Sequence, residues 1–100
     1  MLKHIVMWKL KDEAEGKDKK ANGQKIIKML SDLKQSIPEL RHIEAGQNIR
    51  RLENGFDLVL YSEFQNEDDL NEYRVHPEHQ KVVEFIGKVT SERAFVDYYT

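Results

Sequence analysis

NGFDLVLYSEF, residues 54–64, is the stretch on which the fold turns. Asn54-Gly55 is a turn signal, and the run after it carries apolar side chains on both sides of an extended chain. Phe56, Leu58, Leu60 and Phe64 point one way; Val59 and Tyr61 point the other, beside Asp57 and Glu63. A strand with one wet face alternates cleanly between apolar and polar, whereas apolar residues on both faces mark an interior strand. Residues 56–64 therefore predict a central strand, and the rest of the sheet must be found on either side of it.

Upstream, Leu2 to Leu10 alternates: Leu2, His4, Val6, Trp8 and Leu10 share one face and Lys3, Ile5, Met7 and Lys9 the other. Downstream, RAFVDYYT sets Ala94, Val96 and Tyr98 against Phe95, Asp97 and Tyr99. Both segments read as strands. Arg41 to Arg50 reads more weakly as a fourth, with Ile43, Ala45 and Ile49 in phase, Gly46 as a bulge, and a polarity that suits an edge. Ile26, Ile27, Leu30, Leu33 and Ile37 recur at spacings of three and four, which predicts a helix from about Asp18 to Gln35, ended by Pro38. The charged link Lys11 to Lys17, with Gly16, is expected to be mobile. Asn66 suits a helix cap, Glu67-Asp68-Asp69 suits the positive end of the helix dipole, and Leu70 and Tyr73 fall on the inner face. Pro77 then breaks the register, and a second helical piece carries Val82, Val83, Phe85, Ile86 and Val89.

The order is βαββαβ, an α+β, ferredoxin-like arrangement with two helices on one face of a four-stranded antiparallel sheet. Two helices cover only that face. The other displays Val59, Tyr61, Val96 and Tyr98, and a second copy of the chain is its simplest cover, so a homodimer through the sheet is expected. Trp8, flanked in phase by Val6 and Leu10, is placed between sheet and helices.

Composition narrows the function. One hundred residues make a single domain, 1–100. Lys and Arg number 16 against 18 Asp and Glu, a net charge of −2 with no basic tail, which speaks against nucleic acid and anionic membranes as partners. RNA-recognition domains share the βαββαβ order and a Gly-aromatic motif, but here Asn54 stands for the basic residue, Asp57 for Gly or Ala, and Leu58 for a stacking aromatic. Without cysteine, thiolate nucleophiles, iron-sulfur clusters and cysteine zinc sites are excluded. The amino-terminal apolar run is broken by Lys3, His4 and Lys9, unlike a signal sequence, and a cytoplasmic protein is expected.

The candidate chemistry sits in EYRVHPEHQ, residues 72–80. His76, Pro77 and Glu78 are good residues with which to begin a helix. Two histidines three apart lack a third ligand in sequence, so no metal site is assigned. Tyr73 with His79 reads instead as a ligand-polarising or acid/base pair, because a neutral imidazole accepts a proton near pH 7 and a phenol steadies a developing oxyanion.

The opening LKHIVMWKLKDE, SIPEL, NGFDLVLYSEF, LNEYRVHPEH and the closing FVDYYT together resemble the stress-responsive α/β-barrel domain family, over nearly the whole chain. The resemblance implies a dimer whose two sheets press together. One branch, the plant polyketide cyclases, closes rings without a cofactor; by that likeness His79 takes the acid/base role, Tyr73 the hydrogen-bonding role, and His4 corresponds to a pocket histidine of the first strand. The implied pocket is bounded by Val6, Trp8, Ile27, Leu30, Leu58, Leu60 and Phe85. This chain departs from the branch where Leu58 replaces a further histidine, Ile27 and Leu30 replace an aromatic pair, and Trp8 replaces a small residue. The expected function is thus a dimer binding a small apolar carbonyl or phenolic ligand without a cofactor. A cofactor-independent cyclase or monooxygenase using His79 and Tyr73 is the alternative, and a stress-protective structural dimer without a ligand is another.

Overall fold

The computed structural model describes residues 1–100. Strand β1 (Leu2–Leu10) leads into a small hairpin of β2 (Glu13–Ala14) and β3 (Lys17–Asp18), then helix α1 (Lys19–Asp32), whose end tightens into a single 3-10 turn (Leu33–Gln35). β4 (His42–Gln47), β5 (Leu58–Phe64), α2 (Glu67–Val75), α3 (Pro77–Val89) and β6 (Thr90–Tyr99) follow. The four long strands form one antiparallel sheet in the order β4-β5-β1-β6. The fold is α+β and ferredoxin-like, with β5 inside the sheet as its two-sided apolar pattern requires and the polar β4 at an edge.

Alternation fixes what each face does. Leu2, Val6, Trp8 and Leu10 of β1 join Leu58, Leu60 and Phe64 of β5 beneath Ile26, Leu30, Leu33 and Ile37, and beneath Leu70, Tyr73, Val82, Ile86 and Val89. Trp8 is 4% exposed, in the core as expected. Gly23 lets α1 lie close on the sheet: a Cβ there would stand 3.3 Å from Leu10 Cδ1 and 3.6 Å from Leu58 Cδ2. The helices start where their caps dictate. Asp18 accepts from the Ala21 N–H, Asn66 from that of Asp69, and His76 Nδ1 from that of Glu78 at 3.1 Å.

Three local expectations are corrected, and one turn is found where it was expected. The link expected to be mobile, 11–17, instead forms the β2–β3 hairpin; Glu15 and Gly16 take φ of 52° and 75°, the left-handed pair that a two-residue turn needs. The buried Asn22 amide fastens it to α1 by donating to the Ala14 carbonyl at 3.0 Å and the Lys17 carbonyl at 3.4 Å. Gly46 is not a bulge, since the β4–β5 register runs unbroken from His42↔Glu63 to Gln47↔Leu58. The turn expected at Asn54-Gly55 is present, with the Gly55 N–H donating to the Leu52 carbonyl at 3.0 Å, inside the connection over residues 48–57. Finally, three helices, not two, cover the sheet, because Pro77 separates α2 from α3.

No helix covers the opposite face. Met7, Val59, Val96 and Tyr98 are exposed on it and Ile5 and Tyr61 half-buried. One polar cluster crosses it: the Tyr61 hydroxyl donates to Glu63 Oε2 at 2.7 Å, and Lys3 Nζ reaches the same oxygen at 3.0 Å. The chain ends clasp beside β1 and β6, the Met1 amine donating to the Thr100 carbonyl at 3.0 Å and the Thr100 N–H to the Met1 carbonyl at 3.2 Å. No helix is long and apolar enough to cross a membrane.

Candidate functional site

Proline decides where the site forms. Pro77 has no N–H to continue α2 and disfavours helical backbone in the residue before it, so His76 is extended, with φ −63° and ψ 134°, and α3 sets off in a new direction. That break carries His79, in the first turn of α3, back over Tyr73, in the last turn of α2. Their ring centroids are 4.2 Å apart at 41°, and Tyr73 also packs against Phe64 at 5.0 Å. His79 Nδ1 donates to the Arg74 carbonyl at 3.1 Å, which leaves Nε2 with its lone pair free. Burial holds the His79 pKa below the ordinary histidine value; the charges of His4, Arg74 and Arg93 push the same way, and the Arg74 carbonyl opposes them. The imidazole is neutral at pH 7.

Tyr73 is fully buried, and its hydroxyl has no hydrogen-bond partner. Burial raises its pKa, so the group is a phenol, a neutral donor with nothing to donate to. His4 arrives from β1 on the inner face, 7% exposed, edge-on to Phe64 with the ring centroids 6.4 Å apart. Its Nδ1 is paired with the Asp97 carboxylate, directly opposite on β6, and its carbonyl accepts from the Ser62 hydroxyl at 3.1 Å. Tyr73 and His4 thus both pack on Phe64, and His79 packs on Tyr73, so a neutral imidazole and a neutral donor lie near a carboxylate-anchored imidazole. His76 stands apart, spent on the α3 cap.

The residues expected to bound a pocket are placed otherwise. Val6, Trp8, Leu30, Leu58 and Leu60 are buried members of the core, and Ile27 and Phe85 lie half-buried at its margin, Phe85 beneath the Lys25 ammonium at 4.2 Å. Leu58 also borders a cleft of about 650 Å³, but that cleft is polar, lined by Lys9, Asp12, Lys19, Arg50 and Asp57 at the other end of the sheet. A smaller cleft of about 220 Å³ lies between α2 and the end of β6, lined by Leu2, Leu70, Asn71, Arg74, Asp97 and Tyr99. The smaller one adjoins the site, through Arg74, which binds His79, and Asp97, which binds His4. Volume favours the first cleft; chemistry favours the second.

Asp97, Arg74 and Phe64 complete the site and were not singled out from sequence. Only Asp97 left a signal, as the one acid on the Phe95–Tyr99 face of the last strand.

A family model described as the stress responsive A/B barrel domain matches residues 2–100. The stress-response A/B barrel domain-containing protein DABB1 of Arabidopsis thaliana is 27% identical over 98% of this chain, and the chain spans only 46% of that relative's length. A dimeric protein of ferredoxin-like fold from Bacteroides fragilis is 33% identical and superposes with a TM-score of 0.87, covering 99% of this chain and 95% of the other. The hydroxynitrile lyase of Passiflora edulis, 18% identical, shares the fold with a TM-score of 0.80 over 97% of this chain and 90% of its own.

An unpartnered buried hydroxyl costs its desolvation, so Tyr73→Phe raises the stability of the ligand-free protein by about 1 to 3 kcal/mol. Denaturant titration measures this, and a loss of stability means that the hydroxyl is bonded. The depressed His79 pKa sets a second expectation. Between the lowered folded value and the unfolded value of 6.5, the unfolded chain holds the proton and the folded chain does not, so stability falls as pH drops through that window. Titrating from about pH 7.5 to about pH 5, the His79→Gln variant shows a shallower decline than wild type; identical slopes place the His79 pKa at its ordinary value.

Proposed function

The chain belongs to the stress-responsive A/B barrel domain family, and on that premise we propose that it works as a homodimer whose protomers each bind a small apolar carbonyl or phenolic molecule at Tyr73, His79 and His4. Residues 1–100 act in this reading as one folded unit. The observation that carries it is the Tyr73 hydroxyl, buried beside a neutral imidazole and bonded to nothing. A carbonyl or phenolic oxygen supplies the missing acceptor, and the surrounding Phe64, Leu70 and Leu2 supply apolar contact, the usual composition of a small-molecule site.

Dimerisation is argued from the bare sheet face, since exposed Met7, Val59, Val96 and Tyr98 form an apolar surface that a matching sheet would bury. The similar protein of B. fragilis is described as dimeric. A second reading, proton transfer without a cofactor, is favoured by the free Nε2 of His79 and by the Asp97 carboxylate holding His4 in place. It is compatible with a hydroxynitrile lyase on the same fold.

Sedimentation at micromolar concentration gives twice the chain mass of 11.8 kDa, and Val59→Asp, which puts a charge into the sheet interface, dissociates or unfolds the protein. A monomeric wild type overturns the dimer. Thermal-shift screening with polyketide, quinone and phenolic compounds finds ligands that stabilise wild type but not Tyr73→Phe or His79→Ala. Hits that stabilise all three alike make the pair structural, and an absence of hits leaves assembly itself as the function.

A further inference from the structure

β6 carries two side chains that neither the core nor the ligand-site reading has used. Its register with β1 sets Arg93 opposite Trp8, Phe95 opposite Val6 and Asp97 opposite His4, so all three lie on the helix-bearing side of the sheet. The helices do not cover them: Phe95 is 60% exposed and Arg93 is exposed. A phenyl ring so bare on the packed side of a sheet lies in contact with water at a cost. The Arg93 guanidinium leans over that ring, 5.0 Å from its centroid.

The nearby carboxylates are engaged elsewhere. Asp97 holds His4, and Glu92 pairs with Lys9 at 3.0 Å on the opposite side of the sheet. Arg93 has its charge and its fork of donors unspent. On the facing helix, Val83 and Gly87 follow His79 at intervals of four; Val83 is 45% exposed, and a Cβ added at Gly87 would meet nothing within 4 Å. Arg93 and Asp97 are four residues apart along the strand, about 13 Å between Cα atoms. One substituted aromatic ring spans this once the guanidinium leans toward Phe95.

We propose that the ligand is a planar aromatic carboxylate, its carboxylate held by Arg93, its ring stacked on Phe95, and its carbonyl or phenolic group turned toward His79 and Tyr73. This deepens, and rests on, the reading of Tyr73–His79 as the ligand site. The fit is chemical: guanidinium and carboxylate match as planar forks with two parallel hydrogen bonds, and a cation already stacked on an aromatic ring extends a flat platform for a second ring. The positive potential at His79 from Arg93 is of the sign an anion neutralises.

The test compares 4-hydroxybenzoate with 4-hydroxybenzamide, which carry the hydroxyl at the far end of the ring and differ only in the charge of the other substituent, by quenching of Trp8, the single tryptophan and the cross-strand neighbour of Arg93. The acid binds wild type, and Arg93→Gln weakens it by about ten- to hundredfold, the effect of one charge-assisted pair. The amide binds wild type and Arg93→Gln alike. Arg93→Lys recovers part of the loss, and Arg51→Gln, at a distant exposed arginine, changes nothing. Arg93 is exposed, so the ligand-free melting temperature of Arg93→Gln stays at the wild-type value. The proposal is overturned if the acid binds no better than the amide, if Arg93→Gln leaves it unchanged, if Arg51→Gln weakens it equally, or if neither compound binds. The ligand-site reading beneath it is judged separately: it survives if the amide is lost on His79→Ala, and it fails if His79→Ala binds both compounds as wild type does.

Discussion

A sheet one layer thick has two faces, and a chain of 100 residues has helices enough for one. Everything else in this structure follows from how β1 answers that constraint. It sits between β5 and β6, sends Leu2, His4, Val6, Trp8 and Leu10 to the helices, and leaves Ile5 and Met7 on the bare side. The inner row decides which helical residues are buried. The outer row, with Val59 and Val96 beside it, leaves apolar area that only another surface can remove from water. The Lys3–Glu63–Tyr61 cluster is an internally satisfied polar element on that face. The Tyr61 hydroxyl and the Lys3 ammonium hold the Glu63 pKa below the usual carboxylate range, so it remains an anion with its partners in place.

The site is built from the conflict between stability and readiness. Packing Tyr73 into the core against Phe64 is favourable, while stranding its hydroxyl is not. A phenylalanine would serve the fold better. Proteins concentrate such local costs where a function needs an unsatisfied group in a fixed place. The adjacent imidazole follows the same logic, kept neutral by burial at a helix start, where the dipole also disfavours its cation.

Periodicity made the long strands and the helices legible, because each carries a full apolar face that only one arrangement buries. β5 revealed its interior position through Val59 and Tyr61 alone. Turn geometry was harder to read. Glu15 is not a residue type that announces positive φ, so the hairpin 13–18 passed for a charged loop, and its anchor, Asn22, lies in the helix after it. Asn54-Gly55 had the composition of a two-residue hairpin, yet Asn48, bonded to the Phe56 carbonyl at 2.7 Å, ties a longer loop shut. The contact between Tyr73 and His79 was legible because a proline stood between them. Asp97 was not assigned to His4, since that pair depends on a strand register set 93 residues along the chain. Arg93 and Phe95 were hidden for a different reason: sequence alternation says which face a strand residue takes, not whether a helix reaches far enough to cover it.

The clasp between Met1 and Thr100 has a kinetic meaning. The strand at the heart of the sheet must find its partner β6 at the far end of the chain, with Leu2 set opposite Tyr99. That closes nearly the longest loop the chain possesses. Loop-closure entropy grows by only about 0.6 kcal/mol for each doubling of length, but it is spent before any of the contacts that reward it are made. The hairpins and helices, whose contacts are local, assemble without that delay. The β1–β6 pairing, and with it the His4–Asp97 bond, is therefore the contact of greatest sequence separation that the sheet has to close.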